Sequence, residues 1–73
     1  MKIVLVMIIC SAINGGVCEP PFKSRTSFND WDSCMRMGYA DSIEIMNLMG
    51  EEYVNKKQIY IRFTCKETKE QKV

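Results

Sequence analysis

Seventy-three residues carrying ten Lys and Arg, nine Asp and Glu, four Cys and no His make at most one small domain. At that length a single core supplies only about 3 to 5 kcal/mol, so staples or a partner chain are expected. The lack of His removes the usual general base, the Ser/His and Cys/His nucleophile pairs and any His-containing zinc site, while 47% apolar and 26% charged residues describe a folded chain.

The net charge of +1 is segregated: residues 1–27 carry +2, residues 28–55 carry −5 and residues 56–73 carry +4. Acids spread along the middle segment repel phosphate, which argues against nucleic acid as a partner.

Met1-Lys2-Ile3-Val4-Leu5-Val6-Met7-Ile8-Ile9-Cys10 opens the chain and admits two readings. As a signal peptide, residues 1–12 offer Lys2, an apolar stretch and the small-residue site Cys10-Ser11-Ala12, and would deliver a secreted or periplasmic protein. As a buried strand, the same run offers five β-branched residues bounded by Asn14-Gly15-Gly16. It is too short to span a membrane, so membrane contact is expected only if the segment acts as a signal.

Residues 11–26, with Gly15, Gly16, Pro20 and Pro21, read as a loop. Ser27-Phe28-Asn29-Asp30 has the form of a capping box, and Asp30 and Asp32 favour the positive end of a helix dipole. Trp31, Met35, Gly38, Tyr39, Ser42, Ile45, Met46, Met49 and Tyr53 then recur at helical spacing. One helix of about 25 residues follows, ending near Asn55-Lys56-Lys57. From Gln58 the period becomes two, with Ile59, Ile61, Phe63 and Cys65 on one face and Tyr60, Arg62, Thr64 and Lys66 on the other. Residues 67–73 read as a charged, flexible tail after a single domain spanning residues 1–66.

If the first run is a strand, the order is β-α-β. The expected fold is then a small α/β domain with a two-stranded parallel sheet, covered on one face by one long helix. Parallel strands would bring Cys10 and Cys65 to one edge, with Cys18 and Cys34 nearby. That cluster could form disulfides, remain as free buried thiols, or hold zinc, although spacings of 7, 15 and 30 residues between neighbours contain no C-x2-C knuckle. Gly38 reads as a close approach of helix to strand more than as a ligand contact. The methionines read as core, and the acids Asp30, Asp32, Asp41, Glu44, Glu51 and Glu52 as a solvated helix face. Neither a catalytic, a cofactor-binding nor a metal site is expected.

Both faces of the first run are apolar. Since one helix covers one face, Ile3, Leu5, Met7 and Ile9 are expected to lie uncovered and to form an interface for self-association or for another protein.

Residues 1–10, Cys18-Glu19-Pro20-Pro21-Phe22, Phe28 with Asp30, Cys34-x3-Gly38-Tyr39-x2-Ser42 and Ile59-x-Ile61-x-Phe63-x-Cys65 together resemble short uncharacterised proteins of marine bacteriophages, including cyanophages. The resemblance covers most of the chain and contains no catalytic motif. It implies a viral accessory protein expressed in an infected bacterium and leaves the compartment open. With no catalytic motif in the chain, the expected role is non-catalytic binding of a host or virion protein in the bacterial cytoplasm, the alternative being a secreted or periplasmic disulfide-stapled protein.

Overall fold

The computed structural model describes residues 2–68. β1 (Lys2–Ser11) is followed by a 3-10 turn at Ile13–Gly15, the short β2 (Val17–Cys18) and β3 (Phe22–Phe28). Then come α1 (Trp31–Met49), α2 (Glu51–Lys57) and β4 (Ile59–Thr68). All strand pairs are antiparallel and all involve β1, which β4 flanks on one side and β2 and β3 on the other.

This overturns the two-stranded parallel sheet. The reason is an additional chain reversal: β3 runs back along β1 before the helix starts, so α1 begins beside the start of β1 and β4 descends antiparallel to it. Residues 22–28, expected as loop, form that returning strand. Their apolar residues stand only at the ends, Phe22 and Phe28, with polar residues between them, so no period of two is visible in hydropathy. β4 also runs two residues beyond the expected domain limit, Glu67 pairing with Ile3 and Thr68 with Lys2. The rest of the expected tail, residues 69–73, lies outside the described residues.

The helix begins where its cap chemistry is best satisfied. Asp30, not Ser27, is the N-cap: its carboxylate accepts the Ser33 backbone N–H at 2.9 Å and the Ser33 hydroxyl at 2.8 Å, while Ser27 pairs with Val4 in the sheet. These two bonds, the backbone one foremost, hold the Asp30 carboxyl below its ordinary range. The single expected helix is broken at Gly50, whose φ of 94° lies in the region that favours glycine. Gly50 donates to the Met46 carbonyl and accepts from the Val54 N–H, so it ends α1 and starts α2. The left-handed terminator is Gln58, three residues after the expected Asn55.

One sheet face carries the core. Ile3, Leu5 and Met7 from β1 are 2%, 0% and 2% exposed and pack with Cys34 of α1 and Cys65 of β4. Phe28, Met35, Ile45, Ile61 and Phe63 close around them. Gly38 is the point of closest approach, because a Cβ built there would overlap the Phe63 ring. Tyr39 meets the same ring edge-on, with centroids 4.9 Å apart. The remaining helical stripe is only half covered, and Trp31 and Tyr53 are 52% and 47% exposed. Such a thin core fits a chain that relies on covalent staples.

Candidate interaction surface

The four cysteines form two separate disulfides, Cys10–Cys18 and Cys34–Cys65. They do not converge at one edge, as the parallel arrangement required. In the antiparallel register Cys65 stands opposite Leu5 and Cys10 opposite Tyr60, so the two bonds occupy different ends and opposite faces of the sheet. Cys10–Cys18 joins neighbouring strands, and Cys34–Cys65 ties the first turn of α1 to β4. The Met35 sulfur lies 3.8 Å from Cys65 Sγ, a packing contact, since a disulfide sulfur carries no proton to donate. With every cysteine oxidised, no thiolate is present to hold zinc or attack a substrate.

The register also relocates the uncovered face. Ile3, Leu5 and Met7, the expected interface, lie under the helix layer, together with the half-buried Ile9. Alternation alone divides β1 into two apolar sets and does not say which of them the helix covers. Pairing Cys65 with Leu5 puts the odd-numbered residues of β1 on the same side as Ile61 and Phe63, and so beneath α1.

Outside stand Val4, Val6 and Ile8, all half-buried although no helix covers them. Sheet geometry surrounds this stripe with particular neighbours, because residues paired across strands share a face. Lys66 is opposite Val4, Thr64 opposite Val6 and Arg62 opposite Ile8 on the β4 side; Ser27 and Lys23 are opposite Val4 and Val6 on the β3 side. Lys2 extends the same row along β1. Four exposed cations therefore frame three aliphatic side chains, and a shallow groove of about 580 Å³ runs along Val4 and Val6 between Lys23 and Lys66, with Glu67 at its rim.

The opposite surface has the other sign. Asp32, Asp41, Glu44, Glu51 and Glu52 lie on α1 and α2, where only Arg36, Lys56 and Lys57 oppose them. Arg36 donates to Asp32 at 2.8 Å, and this contact raises the already high pKa of the guanidinium. Both partners are largely exposed, so the pair adds little to stability. The molecule is thus a basic sheet face backed by an acidic helix layer.

The sequence does not by itself bring Lys2, Lys23, Arg62 and Lys66 onto one face. The signal was nonetheless there: Tyr60, Arg62, Thr64 and Lys66 form the polar row of β4, and whichever β1 residues pair with that row must share its side. Among the described residues, no group of three or more acidic, His or Cys side chains could hold a metal ion, and no helix is long and apolar enough to cross a membrane. In comparisons with known proteins the chain matches no family model, no curated protein and no solved structure.

Proposed function

We propose that this chain is a non-catalytic interaction protein, and that its open sheet face binds a protein whose own surface is apolar at the centre and acidic at the rim. The observation that carries the reading is the Val4-Val6-Ile8 stripe framed by Lys2, Lys23, Arg62 and Lys66. An aliphatic centre with a polar rim is how protein interfaces are built, and four cations against the one acid Glu67 select acidic partners. A strand-bound nucleic acid would need aromatic stacking platforms, and this face offers only Tyr60 at its end. A lipid surface would favour Trp or Phe among the cations, and none stands in the stripe. The resemblance to short phage proteins supplies the setting, a host or virion protein in an infected bacterium.

The two disulfides favour a second reading for location, an oxidising compartment such as the periplasm. Cleavage near residue 12 would remove the central strand of this fold and one half of a disulfide.

Photo-crosslinking from position Val6 in infected cells, with position Asn47 on the helix layer as control, identifies the partner. Binding is then reconstituted with that purified protein. The expected complex forms with native protein, weakens as salt rises, and is lost in the double variant Lys23→Glu/Lys66→Glu. NMR titrations with anionic vesicles and with single-stranded oligonucleotides are expected to leave the Val4, Val6 and Ile8 amides unmoved. A shift of those amides by either probe, or a complex indifferent to the charge reversals, overturns the reading.

A further inference from the structure

The sheet has two unlike edges. On the β3 side Pro20 and Pro21 precede the strand and the register is interrupted between Val4 and Val6, features that discourage further pairing. On the other side β4 pairs β1 over ten residues without interruption, contains no proline, and has no neighbour beyond it among the described residues.

Backbone direction along that edge follows from one hydrogen bond. The Ala12 N–H donates to the Gln58 carbonyl at 2.9 Å, continuing the β1–β4 ladder by one pair. Even-numbered residues of β4 therefore address β1, and the odd-numbered Ile59, Ile61, Phe63, Cys65 and Glu67 direct their N–H and C=O groups outward. Beside this edge, on the flank of α1 that packs on β4, Tyr39 and Ile43 are each 62% exposed and one turn apart.

We propose that β4 pairs antiparallel with β4 of a second copy about a two-fold axis at Phe63, continuing one sheet through both molecules. This edge borders the open face and shares Arg62, Thr64 and Lys66 with it, but the pairing is made by the outward backbone groups of β4 and does not depend on what that face binds. Charge and length of overlap together choose the register, since axes at Ile61 or Cys65 also avoid like charges but leave more of β4 unpaired. With the axis at Phe63, Arg62 faces Thr64 of the second copy and Lys66 faces Tyr60, so no like charges meet and each lysine lies beside an aromatic ring. Moving the axis to Arg62 sets that arginine against its own copy. Moving it to Thr64 sets Arg62 against Lys66. On the helix side the axis at Phe63 brings the Tyr39 and Ile43 flanks of the two α1 helices together, covering the apolar residues that the single chain leaves exposed there. The pairing is isologous and closes at two copies.

Sedimentation equilibrium of the full chain with both disulfides intact tests this, and the expected species is a dimer. Thr64→Lys sets a cation opposite Arg62 twice across the axis and is expected to raise the dimer Kd about tenfold. Adding Arg62→Glu is expected to restore it. N-methylation of the Phe63 amide in a synthetic chain removes an outward donor and no ladder bond, so a folded monomer is expected by circular dichroism and sedimentation. A native chain that stays monomeric at high micromolar concentration, or a dimer whose Kd neither the Thr64→Lys change nor the N-methyl group moves, overturns the proposal.

Discussion

Leu5 and Val6 are neighbours on one strand, both aliphatic and both flanked by aliphatic residues, yet one is completely buried and the other faces outward among cations. Nothing in the local hydropathy of β1 distinguishes them. What does is the company each keeps across the ladder, Cys65 for Leu5 and Thr64 for Val6. The face of a doubly apolar strand is thus decided by its partner strand, because a one-residue shift in pairing exchanges the two sides completely.

The comparison is broken most severely by charge. Leu5→Lys places an unpaired ammonium in the core and loses more than the about 2 to 5 kcal/mol that Leu→Ala typically costs, enough to unfold a chain of this size. Val6→Lys on the other face is expected to cost about 1 kcal/mol or less and leave a native-like NMR spectrum. Two unfolded variants, or two folded ones, would mean that the faces are not distinct.

The disulfides sharpen it next, one in the core and one at the far end of the sheet. In the chain-entropy account the 31-residue separation of Cys34–Cys65 is worth about 4 kcal/mol and the 8-residue separation of Cys10–Cys18 about 2.5 kcal/mol. Paired Cys→Ala variants followed by urea melts measure both. Under native conditions a dithiol is expected to open Cys10–Cys18 first, since Cys18 is exposed while Cys34 and Cys65 are buried. Timed alkylation read by mass spectrometry gives the order.

Gly38→Ala tests how tightly the covered face is filled. The added methyl group meets the Phe63 ring, and a loss of about 1 to 3 kcal/mol in urea melts is expected, partly recovered by Phe63→Leu. The smallest effect belongs to a group outside the core. The Asp30 cap contributes fully above the ordinary carboxylate value of 3.8, and its contribution fades as the pH falls through the lower folded value. Asp30→Ala therefore lowers Tm slightly at neutral pH, and the difference from native protein shrinks in acid.

Elements with strong periodicity were legible in the sequence. β4 was visible from its alternation, and the helical region from the spacing of Met35, Gly38, Ser42 and Ile45. Gly38, set in a helical pattern, marks the close approach to a strand that the fold shows against Phe63. β3 was hidden because an edge strand with a polar middle carries no apolar alternation, and missing it reversed the sense of β4. A parallel β4 would bring Cys10 and Cys65 to one edge, whereas the antiparallel register sets them at different ends of the sheet. The break at Gly50 was marked only by glycine followed by Glu51 and Glu52, a helix start embedded in a helical pattern. The open face could be assembled only after the strand register was known.

The placement of β1 at the centre of the sheet also sets an order of events during synthesis. Its β2 and β3 partners emerge soon after it, and Cys10–Cys18 can close within that local unit. β4, which pairs with all ten residues of β1, is translated after every other described element. Until then Ile3, Leu5 and Met7 lack one flank of their sheet and the Cys34–Cys65 bond that ties the helix layer to it, and the contacts that finish the fold span nearly the whole chain. Pairing with β4 is therefore the step that completes this sheet, and the apolar first strand stays accessible to chaperones until that moment.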